Sequence, residues 1–127
     1  MNIIWHGHSC FEITGKDGTI VFDPYQANSV PGLNSLKLKA NLVLCSHEHD
    51  DHNARNCVEV APKDFKVTCI ETYHDHHQGS HRGKNTIHIV DFEDLKVVHM
   101  GDIGCMMDDV SKLKNCDVSM IPIGGYY

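Results

Sequence analysis

Seven residues, Ser46-His47-Glu48-His49-Asp50-Asp51-His52, could do more chemistry than any other stretch of the chain. Their imidazoles and one carboxylate follow the pattern H-x-H-x-D-H, directly after the apolar run Leu42-Val43-Leu44. Crowding so many ionisable groups at the end of a buried strand is costly unless something compensates them. A divalent metal ion compensates them, and two ions do so more fully. His47 and His49 stand two apart, so an extended backbone points both to one side and lets them share an ion. Asp51 and His52 are adjacent and need a turn to converge. The two halves of the motif can therefore face two neighbouring ions. Nitrogen donors mixed with a carboxylate suit zinc, with manganese, iron and nickel as rivals. A merely solvated, histidine-rich loop does not account for the ordered spacing.

The elements around this motif read as strands. Ile3-Ile4-Trp5, Cys10 to Ile13 and Thr19 to Phe22 are short β-type runs, with Gly15-Lys16-Asp17-Gly18 as a hairpin turn. Residues 24–40 read as irregular, and 41–45 as the buried strand that feeds the motif. The spacing predicts a short helix over 53–60, a strand over 66–72, and a hairpin of 86–90 with 95–99. A second short helix over 108–114 and a last strand over 117–123 complete the reading. Asp23, the 47–52 motif, His74 and Asp102 each follow a predicted strand, so a rigid sheet would bring them to one edge.

The chain of 127 residues fits a single domain, 1–127. With 17 acidic and 11 basic residues its formal charge is -6, and no basic stripe interleaved with aromatics is present. Nucleic acid is therefore not an expected partner. No run approaches the roughly 18 apolar residues of a membrane span. The N-terminus has neither the basic region nor the cleavage site of a signal peptide. Six cysteines without a C-x-x-C pair read as buried, reduced thiols of a cytoplasmic protein. Cys45 and Cys105 lie close to the candidate ligands. Trp5 and the methionines read as core, and His6, His88 and His99 as packing or surface residues.

The motif at 47–52, with Asp23 before it and a lone His and a lone Asp after it, resembles the metallo-β-lactamase superfamily. Trp5 to Phe11, Phe22 to Tyr25, Arg82 to Thr86 and Ile121 to Tyr127 resemble its L-ascorbate-6-phosphate lactonase-like and metal-dependent hydrolase branch. The resemblance implies an α/β (α+β) fold, the N-terminal portion of an αββα sandwich with a dinuclear metal site at one edge. It implies that His47, His49 and His74 hold one ion, that Asp51 and His52 hold the other, and that Asp102 bridges them. His74 is preferred over His76, His77 and His81 because it is the first polar residue past its strand.

Asp23 would orient a ligand imidazole, although a turn Asp before Pro24 is nearly as good a reading. His8 would reach the mouth of the site, with a satisfied structural His an equal reading, and Arg82 could meet an anionic substrate group, although a solvated loop Arg is the commoner case. The family's final His has no counterpart here, so the expectation is a domain incomplete at its C-terminus. An exposed sheet edge would then invite pairing with a second copy. The implied activity is hydrolysis of an ester, lactone or phosphodiester, with phosphorylated small molecules among the candidate substrates and a hydroxide between two zinc ions as nucleophile. A nuclease on the same fold and a non-catalytic metal-binding half-domain are the competing readings.

Overall fold

The local sequence dictates two meanders. β1 (Asn2–Gly7), β2 (Cys10–Gly15) and β3 (Gly18–Phe22) run antiparallel, and Gly15 pairs with Gly18 across the two-residue turn of Lys16 and Asp17. The computed structural model describes residues 1–124. The terminal Gly125-Tyr126-Tyr127, part of the string that carried the family resemblance, lies outside them. β4 (Leu38–Ala40) follows a long irregular segment, and β5 (Leu42–Leu44) then joins β3 in parallel, giving the order β1-β2-β3-β5.

β6 (Val58–Val60) pairs in parallel with β4 as a separate two-stranded sheet. β7 (Lys66–Tyr73), β8 (Lys84–Phe92), β9 (Leu95–His99) and β10 (Val118–Met120) form a second four-stranded sheet, ordered β10-β9-β8-β7. The β8–β9 hairpin turns on Glu93 and Asp94, whose φ values of 50° and 63° suit the tight turn that matches strand twist.

The two larger sheets pack face to face. Ile13, Ile20 and Phe22 from the first meet Val90, Phe92, Val97 and Met120 from the second. Each such side chain, once removed from water, contributes about 1.5–3 kcal/mol before the entropic cost of ordering it. The outer faces are covered too. Val21 and Cys10 pack with Tyr25, Ala40 and Val58, under Val30, Leu33 and Leu36 of the irregular segment. Ile87, Ile89 and Val98 pack under Ile103, Met107 and Leu113.

The four-layer order of the sandwich is thus present. Among the described residues, however, the outer layers are irregular chain and two single 3-10 turns, Arg55–Cys57 and Ser111–Leu113, rather than α-helices. The helix expected over 53–60 fails for a local reason. Ala54 provides no side-chain cap, and β-branched Val58 and Val60 gain more from pairing with β4. The helix expected over 108–114 shrinks to Ser111–Leu113, again without a side-chain cap at Val110.

Two packing expectations change, and for His88 and His99 the packing alternative holds. Trp5 is 66% exposed on edge strand β1, and Met106 is 94% exposed, so neither is core. All six cysteines are free as expected, but only Cys10 is buried, while Cys69 and Cys116 are exposed. His88 and His99 are buried, and the neighbouring alternate positions Val90 and Val97 place them on the face between the sheets.

Candidate metal centre

Strand ends deliver the candidate side chains to one place. Asp23 follows β3, the 47–52 motif follows β5, His74 follows β7, and Asp102 lies in the turn after β9. Three trios of donor atoms form, each within 4.8 Å: His47, His49 and His74; His47, His52 and Asp102; and His8, Asp51 and His52. His47 is shared by the first two and His52 by the last two, so the trios make one continuous cluster. No trio contains a cysteine, so Cys45 and Cys105 stand outside it.

One oxygen sits at its centre. Asp102 Oδ2 lies 3.0 Å from His52 Nε2, 3.1 Å from His74 Nε2 and 4.0 Å from His47 Nε2. Its placement depends on Gly101 at φ +60°, where an added Cβ would come within 2.4 Å of both Asn85 Oδ1 and Ser46 Cβ. Asn85, fully buried, accepts from the Asp102 N–H and donates to Met100 O and Thr72 Oγ1.

Asp23 organises the buried side of the cluster. It accepts from the Ser46 N–H at 2.6 Å, from Ser46 Oγ at 2.6 Å, from His52 Nδ1 at 2.8 Å and from Ser9 Oγ at 3.3 Å. The Ser46 hydroxyl has one proton, and it goes to Asp23. His47 Nδ1, 2.8 Å from that hydroxyl, must therefore be the donor. His47 and His52 hold an N–H on Nδ1 and turn Nε2 toward the cluster, where both Nε2 atoms are buried; His47 Nε2 has no hydrogen-bond partner, while His52 Nε2 faces Asp102 Oδ2 at 3.0 Å as a charge pair. Buried polar atoms left unmatched are rare and call for an occupant. With a cation in place of the His52 Nε2 proton, two imidazole nitrogens beside two carboxylates make a donor set that fits it.

The electrostatics agree. Burial, reinforced by the charge of His52, pushes His47 down to about 4. Burial also works against the charged form of His52, but the carboxylates of Asp102, Asp23 and Asp51 outweigh it and raise that ring to about 11. Asp51 stays well below the usual carboxylate range, because hydrogen bonds from His52 and His8 overcome its desolvation. Asp23 and Asp102 are lowered against the same penalty, chiefly by His52. A region that concentrates this much negative charge and keeps His52 cationic is built to hold positive charge.

Two residues of the site, His8 at φ +51° and Asp23 at φ +45°, occupy the left-handed backbone region. For side-chain-bearing residues this costs about 1–2 kcal/mol each, and such strain clusters at functional sites. His76, His77 and His81 stay out of the cluster; His77 stacks on His81 and meets His76 at a tilt, each at a ring separation of 4.1 Å. Asp75 ties their loop by accepting the N–H groups of His77, Gly79, His81 and Arg82. Arg82 thus lies in that loop, outside all three trios. Sequence reasoning missed Ser46 as the relay between Asp23 and His47, and Asn85 as the support of Asp102. Ser46 opens the motif and Asn85 sits in the Arg82 to Thr86 string, but neither residue type signals such a role by itself.

Comparisons with known proteins place this geometry in a family. The family described as the beta-lactamase superfamily domain matches residues 2–127. A metal-dependent hydrolase of Thermoplasma acidophilum is 27% identical over 165 residues, with 100% of this chain and 72% of the relative covered. A metal-dependent hydrolase of Natranaerobius thermophilus is 29% identical over 163 residues, with 100% and 72% covered. These alignments are longer than the chain, so the relatives contain residues inside the matched span that it lacks. A crystal structure from Thermotoga maritima, provisionally described as a zinc-dependent hydrolase of the metallo-β-lactamase superfamily, superposes with a TM-score of 0.69 at 27% identity. That comparison covers 98% of this chain and 62% of the other, so the chain spans less than two thirds of that structure. Sheet architecture, motif and family match agree: the chain belongs to the beta-lactamase superfamily domain family.

Proposed function

We propose that the protein is a metal-dependent hydrolase that binds two divalent ions, zinc foremost, and cleaves an ester, lactone or phosphodiester in a small substrate, with phosphorylated molecules among the candidates. The observation that carries this reading is the convergence of the buried Nε2 atoms of His47 and His52 on Asp102, with His47 Nε2 left without a hydrogen-bond partner. His47, His49 and His74 would hold one ion, Asp51 and His52 the other, and Asp102 both. When bound, such ions acidify water and polarise the scissile bond.

The chain's own groups do the rest. Asp23 and Ser46 lock the two buried imidazoles in the donor tautomer. Asp102, supported by Gly101 and Asn85, places one carboxylate oxygen between the two halves of the cluster. Asp102, Asp51 and His8 have side chains about one third exposed, and His74 less, so a substrate can approach that side. The relatives' names support hydrolysis.

The charge of -6 argues against the nuclease reading. No helix among the described residues is long and apolar enough to cross a membrane. Six free thiols suit a reducing compartment such as the cytoplasm. The edge strands β1 and β10 offer a route by which two copies could pair.

The test is elemental analysis of protein purified without chelator, followed by assays on a generic phosphodiester and a lactone. The expected result is about two ions per chain, with turnover abolished by chelation and restored by zinc or manganese. His47→Ala and Asp102→Asn should lose both metal and turnover. Bound metal without turnover on either substrate would favour the non-catalytic reading, and absence of bound metal would overturn the proposal.

A further inference from the structure

We propose that His8 is itself a protein ligand of the ion held by Asp51 and His52, not only a residue near the mouth of the site. The inference rests on the two-ion reading above and deepens it. His8 Nε2 lies 2.9 Å from Asp51 Oδ2, and Asp51 Oδ2 lies 3.4 Å from His52 Nε2. Donor atoms that share one ion at bonds of about 2.0–2.2 Å sit at about this spacing from each other. The His8 ring meets the His52 ring edge-on at 5.0 Å between centroids, so the two imidazoles converge without stacking.

The backbone beneath His8 is built for this placement. The β1–β2 pairing shifts register between Trp5 and Gly7, and the turn runs through Gly7 at φ +109° and His8 at φ +51°. A left-handed position in a free turn favours Gly or Asn. A histidine held there implies that its side chain is wanted where the turn points it.

The turn is also pinned on every side. Trp5 Nε1 donates to His8 O at 2.9 Å, and Ser9 Oγ donates to Asp23. His99 Nε2, from the second sheet, donates to Ser9 O at 3.0 Å. A Cβ at Gly7 would come within 2.8 Å of Leu33, so the turn lies flush against the covering segment. With His8 included, the second ion has two imidazoles and a carboxylate of its own in addition to the shared Asp102. Its nitrogen content then approaches that of the site formed by His47, His49 and His74.

The rival role is a hydrogen bond from His8 that merely positions Asp51. Two variants separate the roles, because the amide of His8→Gln can still donate to Asp51 but cannot replace an imidazole as a metal ligand. The full chain, stripped with chelator, is titrated with zinc against a chromophoric competitor, while ring 15N resonances are followed by NMR. The expected result is two equivalents in the parent protein, with the His8 Nε2 resonance moving on the second. His8→Ala and His8→Gln should keep the first equivalent and weaken the second by about tenfold or more. Circular dichroism melts, together with the retained first equivalent, show that the variants fold.

Parent-like affinity for both equivalents in His8→Gln, or an unmoved His8 Nε2 resonance, overturns the inference and leaves the two-ion reading intact. A parent protein that takes only one equivalent overturns it as well. A parent protein that takes no zinc instead sinks the metal-dependent reading itself.

Discussion

Asp23 shows how much one residue can decide. From the sequence, an imidazole-orienting carboxylate and a turn Asp before Pro24 were nearly equal readings, because sequence spacing does not reveal which groups surround a buried oxygen. In the structure Asp23 has 0% exposure and accepts four hydrogen bonds, from Ser9, Ser46 and His52. Every one of those partners is a donor. Asp23→Asn keeps the shape but removes the charge, and turns an amide N–H₂ toward at least one donor. The expected cost is about 1–3 kcal/mol in urea unfolding of the chelator-stripped protein. Asp23→Ala, which leaves all of the donors unmatched, should cost about 3–5 kcal/mol. Zinc affinity should fall by about 10- to 100-fold in the Asn variant, because His52 loses its orienting partner. An Asn variant with parent stability and parent zinc affinity would show that Asp23 is a turn residue after all.

The strands were legible because their period and turn chemistry are local. Gly15 to Gly18 and Asp91 to Asp94 announce hairpins, and the eight expected strands all form, with ends that shift by a few residues. β4 and β6 were not legible. Each is three residues long, and their parallel pairing joins segments about twenty residues apart, which no local pattern encodes. The loop after β7 is a similar case. Its histidines suggested several possible ligands, but its order comes from Asp75, whose carboxylate takes four backbone N–H groups. That knot also sets the exit of the chain past His74, whose own N–H bonds Gly83 O. Asp75→Ala should therefore speed amide exchange and proteolytic cleavage across 76–82 and weaken the ion held by His74, while exchange in β8 and β9 stays slow. Hydrogen exchange read by mass spectrometry checks this. Protection of 76–82 equal to that of the parent would mean that the loop is ordered by something other than Asp75.

At the level of the whole molecule, the strand ends that carry Asp23, the 47–52 motif, His74 and Asp102 implied chemistry at one edge, and the family resemblance implied the sandwich around it. The sequence itself did not imply what covers the outer faces, because irregular segments such as 25–36 bury apolar residues without any period. Nor did it reveal that histidines sit between the sheets, and these carry a global consequence. Burial pushes His88 down to about 4 and lowers His99, in both cases against the attraction of Asp23. Unfolded, each titrates near 6.5. Below that pH the unfolded chain binds protons that the folded chain refuses, so stability falls with pH, by up to about 1.4 kcal/mol per unit for each histidine. In chelator-stripped protein His47, also held down to about 4, adds to the same window. His52 acts in the opposite sense. Raised to about 11, it stabilises the fold fully below about 6.5 and loses that contribution as pH climbs toward its folded value. Stability should thus peak near pH 6.5, with an acid limb steeper than the alkaline one, before the lowered carboxylates of Asp23, Asp51 and Asp102 begin to contribute below about pH 4. His88→Leu, which also removes an unpartnered buried Nδ1, should reduce the acid slope by up to about 1.4 kcal/mol per unit. Urea midpoints collected from pH 4.5 to 9 decide the matter: a flat profile between 6.5 and 4.5, or an unchanged slope in His88→Leu, would mean that protons reach these rings in the folded protein.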